Sequence, residues 1–329
     1  MVEEIITALS RIRWLFVIAR NSSFTYKGQS PDVRQVGREL GVRYVLEGSV
    51  RKGSGRVRIT AQLIEAETGA HLWADRFDGS LEDVFDLQDQ VATSVAGVIE
   101  PALQVAETRR SIARPRANLS AYDFYLRALA LYSSLTKTAV LQALQFVKNA
   151  ISFDPDYGPA LAVAGLYHMR LWMEGWAEEP DIARQKGIQY APHALHVAAD
   201  DPTVLANAAY VLARLGEDID AMMALLDRSL ALNPSFARGW YLSGALRMSA
   251  GQLDTAIEHI NKSLRLSPRD YFFGSHCTCW APRILLCVGS TRLLRSCCKQ
   301  SRNIQNILDH TVSLQRVMHI WVASKQHTR

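Results

Sequence analysis

The apolar positions of the first hundred residues change period several times. From Glu3 to Arg13 they recur at helical spacing, with Ile5, Leu9 and Ile12 on one face. The run Trp14 to Ala19 has no polar break and reads as a short buried strand. Ser30-Pro31-Asp32 reads as a helix start, serine as N-cap and proline in the first turn. Val33, Val36 and Leu40 then share a face, and Gly41 is placed to end the helix. Beyond it the period falls to two: Val57, Ile59, Ala61 and Leu63 alternate with Arg56, Arg58, Thr60 and Gln62. This predicts a strand, Arg56 to Glu65, with one buried and one wet face. Gly53-Ser54-Gly55 joins it as a hairpin to a strand from Val42 to Lys52, and Glu67-Thr68-Gly69 turns into a third strand, Ala70 to Phe77. Ser80 and Asp83 resemble a capping box opening a long helix, in which Val84, Leu87, Val91, Val95 and Val98 fall three or four apart.

Residues 107–120, ETRRSIARPRANLS, are charged, contain a proline and read as a linker. The pattern after it is helical and punctuated. Asp154-Pro155, Asp201-Pro202, Asn233-Pro234 and Ser267-Pro268 each close a helical stretch. Pro234 and Pro268 stand 34 residues apart, the length of a tetratricopeptide repeat. In that last unit Trp240, Gly244, Ala256, Ile260 and Pro268 occupy the offsets the repeat requires, and Leu161, Ala164 and Gly165 are in register in the unit that begins at Gly158. The separation from Pro202 to Pro234 is 32 residues, a small deletion, and that from Pro155 to Pro202 is 47, an insertion assigned to Trp172 to Asp181. Small residues belong where two helices cross closely, and a unit that cannot bury its apolar face alone buries it by stacking. The fold class expected is therefore α+β: a small α/β domain over 1–106, the linker, an all-α repeat array over 121–270, and a divergent tail over 271–329.

Composition changes this picture in one place. The net charge of +5 suggests a nucleic-acid binder until it is divided. After residue 270 there are eight Lys and Arg against Asp309 alone, whereas the first 270 residues hold 29 bases and 31 acids. The basic balance belongs to the tail, and the body has no strong pull on phosphates, so no nucleic-acid partner is expected. No apolar run approaches the ~20 residues of a membrane span. The first residues lack the basic start and cleavage site of a secretion signal. A cytoplasmic protein with no membrane association is the expectation.

The stretches EEIITALSRIRWLFVIARNSSFTYKG, VRQVGRELGVRYVLEGSVRK and RVRITAQLIEAETGAHLWADRFDG resemble the TolB-N-terminal-like (FlgO-like) module of large bacterial proteins, chiefly from rhizobia and their relatives. DVFDLQDQVATSVAG and AYDFYLRALALY continue the likeness into the repeats, so it covers roughly residues 1–270. In such proteins a class III adenylate/guanylate cyclase domain precedes this module and its tetratricopeptide array. The resemblance implies a non-catalytic interaction or regulatory part of a cyclic-nucleotide signalling protein. The family's cyclase domain and a strand of the AVLPF type are not found ahead of residue 1, Met1 reads as an internal methionine of a longer frame, and no catalytic residue can be carried over. A sheet lacking that strand would leave an edge open to pairing with a second copy.

Candidate chemistry is sparse. Gly48 to Ser54, GSVRKGS, misses the phosphate-binding loop, because it lacks the lysine after the second glycine and sits in a hairpin. His193 and His196 lack the further ligands of a metal site. The five cysteines, Cys277, Cys279, Cys287, Cys297 and Cys298, fit neither paired zinc spacing nor a redox C-x-x-C. They arrive together with a loss of acids and of the repeat pattern just after Asp270, as a shift in reading frame would produce. No catalytic, cofactor or metal residue is expected. The first helices of stacked repeats line the surface that takes a protein or peptide, and by register Tyr125, Tyr132, Arg238, Tyr241 and Met248 are the positions expected to face it.

Overall fold

The computed structural model describes residues 2–26, 31–53, 55–80, 84–114, 119–132, 134 and 136–267. The cysteines, Asp83, Ser30 and the tail beyond Ser267 lie outside the described residues. The architecture is α+β, a three-stranded antiparallel sheet followed by paired helices.

Helix α1 (Val2–Leu9) and the short α2 (Arg20–Ser23) precede α3 (Val33–Leu40). The N-cap of α3 is Asp32, whose carboxylate accepts the Arg34 N–H at 2.9 Å, and Gly41 closes the helix in the left-handed region at φ 65°. Strands β1 (Tyr44–Gly53), β2 (Arg56–Glu65) and β3 (His71–Ser80) follow in the order β1-β2-β3. Opposite partners include Val50 with Ile59, and Leu63 with both Leu46 and Trp73; the β2–β3 register slips between Leu63 and Ile64. The alternation read from β2 is realised: Val57, Ile59, Ala61 and Leu63 are buried against Ala8, Leu9 and Ile12, while Arg56, Arg58 and Thr60 are exposed.

Trp14 to Ala19 is not a strand. Trp14, Leu15 and Val17 pack against the core of the sheet, and Phe16 between them is 84% exposed. Burial of its apolar side chains is met without ladder hydrogen bonds, and a continuous apolar run does not by itself distinguish the two arrangements.

The long helix α4 (Val84–Ala113) corrects the linker. Residues 107–113 are its last turns, and Glu107 and Ser111 are buried. Leu87, Val91, Val95, Ile99 and Leu103, spaced four apart, lie on the sheet. Glu107 accepts from Arg43 and Tyr44 at 2.9 and 2.8 Å, anchoring the end of α4 to β1.

Four helical pairs follow: α5 (Ala121–Tyr132) with α6 (Lys137–Phe153), α7 (Gly158–Met173) with α8 (Pro180–Val197), α9 (Pro202–Leu215) with α10 (Ile219–Leu232), and α11 (Ala237–Ser249) with α12 (Leu253–Leu266). Close crossings fall where the small residues are. A Cβ on Gly244 would stand 2.7 Å from Ile260, and one on Gly158 would stand 2.5 Å from Ala198. Tyr167, fully buried, donates to the Ala128 carbonyl at 2.6 Å and ties the second pair to the first. The extra length of the second unit is spread over long helices of 16 and 18 residues and the connection between them, so Trp172, Met173 and Asp181 are helical.

Candidate functional site: the inner surface of the array

Helix α4 has a second buried stripe, turned away from the sheet, that carries Gly97, Glu100 and Ser111. It meets the helical pairs in reverse order. A Cβ on Gly97 would lie 3.0 Å from the Leu266 carbonyl oxygen at the end of α12 and 3.2 Å from the Ser235 carbonyl before α11. Glu100 feels the charge of Asp201, the N-cap of α9. Ser111 donates to the Asp123 carbonyl of α5 at 3.1 Å, and Arg114 grips the Asp123 carboxylate at 3.0 and 3.1 Å. From Gly97 to Ser111 the helix rises only about 21 Å at ~1.5 Å per residue. In that distance it passes from the last pair to the first, so the array curves around it.

Glycine at the crossing lets two backbones approach without a side chain between them. Pro101, four residues on, cannot donate to the Gly97 carbonyl, and its ring crowds that carbonyl. The crossing therefore coincides with a break in the helix ladder.

The surroundings of Glu100 are aromatic. Trp14 stands 6.4 Å from Tyr122, which lies 6.5 Å from Tyr125, and Tyr125 meets the ring of Tyr157 edge-on at 5.7 Å. Glu100 is 6% exposed, and its loss of hydration pushes its pKa up to about 7, with Asp201 adding to the rise. The Trp14 indole faces the carboxyl and opposes the rise, although its N–H makes no hydrogen bond of normal geometry. Burial likewise raises the Tyr122, Tyr125 and Tyr157 phenols far above the ordinary range, so all three are neutral donors.

The residues expected to face a partner occupy different settings. Tyr125 is buried within the aromatic group, 7% exposed. Tyr241 is buried on α11, and Met248, near its end, is half-buried. Arg238 is half-buried and donates through Nε and Nη2 to the Asn207 side-chain oxygen at 3.2 and 3.0 Å, linking α11 to α9. The side chain of Tyr132 lies outside the described residues. The structure thus brings Tyr125 together with Glu100, Tyr157 and Asp201, and joins Arg238 to this group through its charge. Sequence reasoning missed Gly97 and Glu100. The available signal was a glycine and a proline four apart inside a helical run, with an acid between them on the glycine's side.

Other polar groups are accounted for locally. Arg247 holds both oxygens of Asp227 at 2.8 Å and donates to Ser243, which also meets His259 Nδ1 at 3.0 Å. Trp240 donates to the Pro234 carbonyl at 2.9 Å, with His259 edge-on and the Lys262 ammonium 3.8 Å from its ring centre. His193 pairs with Asp156 at 3.4 Å on the surface. The near-miss phosphate loop lies in β1, at a hollow of about 730 Å³ lined by Arg51, Lys52, Arg56, Arg58 and Asp78, and Arg58 and Arg76 are both held by Asp78. Among the described residues no three His, Cys, Asp or Glu side chains come together as metal ligands, and no helix is long and apolar enough to cross a membrane.

No protein-family model matches the chain. A protein of Rhizobium meliloti (strain 1021), named "Putative adenylate cyclase 3", is 39% identical over 201 residues, 61% of this chain and 34% of that protein. The chain thus spans about a third of the length of that curated relative. Among solved structures, a thermophilic TPR protein of Thermus thermophilus is 21% identical, covering 57% of this chain and 89% of its own, with a TM-score of 0.40. MamA from Desulfovibrio magneticus RS-1 is 17% identical, covering 56% and 95%, with a TM-score of 0.35.

Proposed function

We propose that this chain is a protein-interaction module that works without catalysis of its own. Its array takes a protein or peptide on its inner surface, and no cofactor is called for. The observation that carries the reading is the inner surface itself: four helical pairs that curve around a helix and offer Tyr125, Arg238, Tyr241 and Met248 along their first helices. Tyrosine, arginine and methionine combine apolar contact with a polar tip, which suits recognition. The side chain of Tyr132 belongs to the same proposal by register.

The setting proposed is cyclic-nucleotide signalling in the cytoplasm, as a regulatory part of a protein of the TolB-N-terminal-like and class III cyclase type. It is supported by the identity to a protein named for adenylate cyclase. Pairing of two copies through the outer edge of β1 or β3 belongs to the same proposal, since each strand pairs in the sheet with β2 alone among the described residues. The change of composition after Asp270 is proposed to be a shift of reading frame, and restoring the frame in the DNA should extend the repeat pattern.

Two measurements test the reading. Peptides selected on the whole chain from a displayed library should lose at least tenfold in affinity on Arg238→Glu or Met248→Glu; affinity unchanged in both sinks it. Cyclic AMP formed from ATP by this chain with magnesium or manganese, above a heat-killed control, would instead favour an enzyme.

A further inference from the structure

We infer that the inner surface of the array is a groove for a helix, that α4 is its resident ligand, and that the outside partner is an amphipathic helix competing with α4. That helix presents a small residue where it crosses the last pair and, three positions later, a neutral hydrogen-bonding side chain. This deepens the interaction reading and rests on it.

Three observations carry it. First, the surface already holds a helix along its length, touching α12 at Gly97 and α5 at Ser111. An extended peptide would rise about 3.3 Å per residue instead of ~1.5 and could not keep these contacts in register. Second, the crossing tolerates only a small residue, because the atoms that a Cβ would meet are the Leu266 and Ser235 backbone oxygens, which cannot rotate aside as a side chain could. Third, the pocket for the residue three positions on is lined by Trp14, Tyr122, Tyr125 and Asp201, aromatic rings with a carboxylate beside them. Such a lining penalises a negative charge and accepts a neutral amide or a carboxylic acid.

The groove face of α4 is also the less apolar of its two buried faces. Leu87, Val91, Val95, Ile99 and Leu103 are committed to the sheet, whereas the array is met through a glycine, a glutamate, a serine and an arginine. Release from the array therefore leaves the sheet core intact and exposes mainly polar surface. An external helix can compete for such an interface, since burial of apolar area sets most of the cost of separation.

The test uses the whole chain and a labelled synthetic peptide of residues 90–113. Gly97→Arg should drive α4 off the array, seen as faster amide exchange in residues 97–113, while β2 stays protected. That variant should bind the peptide at least tenfold more tightly than the unaltered chain does. A peptide carrying Gln at position 100 should bind more tightly still at pH 8, and one carrying Arg at position 97 should not bind. Should Gly97→Arg fail to fold, Gly97→Ala is the milder wedge, with the same order of peptides expected. The inference is overturned if α4 exchange does not rise in a folded wedge variant. It is also overturned if the wedge exposes α4 but the wild-type peptide binds no better than the Arg-bearing one. In that second case displayed-library peptides that still depend on Arg238 or Met248 would leave the broader interaction reading standing.

Discussion

Gly97 in the long helix and Leu266 at the end of the last repeat approach so closely that a Cβ on the glycine would stand 3.0 Å from the leucine carbonyl oxygen and 3.1 Å from its Cβ. One crossing joins a helix of the sheet layer to the final turn of the array. Its chemistry leads to the first of three predictions.

Gly97→Ala sets helix propensity against packing. In an open helix the change stabilises by roughly 1 kcal/mol. Here the new methyl meets two backbone oxygens and the Leu266 Cβ, and overpacking of this kind costs typically ~1–3 kcal/mol. The expected outcome is net destabilisation of about 1 kcal/mol, read from urea unfolding of the two chains; a more stable variant would show that α4 and α12 do not touch in this way.

Glu100 gives a pH dependence with a definite sign. Its carboxyl titrates at about 7 in the folded chain, against an ordinary 4.5, so the folded state holds the proton more tightly. Its stabilising share is complete below about 4.5 and disappears as pH rises through 7. Between those limits the unaltered chain should lose on the order of 3 kcal/mol from this group, at ~1.36 kcal/mol per pKa unit. Glu100→Gln removes the charge and keeps the shape. It should leave stability at pH 4.5 nearly unchanged and raise it at pH 8, in thermal or urea unfolding across that range. Equal pH slopes in the two chains would contradict the burial of this carboxyl.

His168 predicts the opposite slope. The ring is 7% exposed, stacks on Tyr190 with centroids 5.8 Å apart, and its Nδ1 has no hydrogen-bond partner. Burial pushes its pKa down to about 4, with Lys186 and Lys148 assisting. A depressed histidine contributes stability that is present above its unfolded value of about 6.5 and is lost as pH falls toward 4. His168→Phe keeps a flat ring on Tyr190 and removes the titration. The melting temperature of the variant should fall less than that of the unaltered chain between pH 7 and 4.5, and an identical acid limb would contradict this.

What the sequence made legible follows from which forces act locally. The alternation of Val57 to Leu63 against Arg56 to Gln62 is a property of one strand with one wet face, and it was readable without partners. The repeat was readable for the same reason: Trp240, Gly244, Ala256 and Ile260 each pack within their own unit, so their spacing is carried by 34 residues. Trp14 to Ala19 was misread because apolar burial does not fix backbone pairing. The last turns of α4 were misread because their polar residues, Glu107 and Ser111, are buried against partners remote in the sequence, Arg43 and Tyr44 in one case and α5 in the other. Charge in a segment suggests solvent until its partners are known. For the inner surface, register picked out Tyr125 and Arg238, and what it could not supply was the helix that lies across them.

The double burial of α4 has a consequence for how such chains can change length. One residue added between Gly97 and Ser111 would turn everything beyond it by about 100° about the helix axis and advance it by ~1.5 Å. The sheet side would keep Leu87, Val91 and Val95 in place, while Ser111 and Arg114 would swing away from Asp123. Insertions in this interval are thus excluded unless they come in near-whole turns, three or four residues at a time, whereas the connections between repeats accept single residues freely. The interval works as a gauge block that fixes both the distance and the angle at which the repeats meet the sheet.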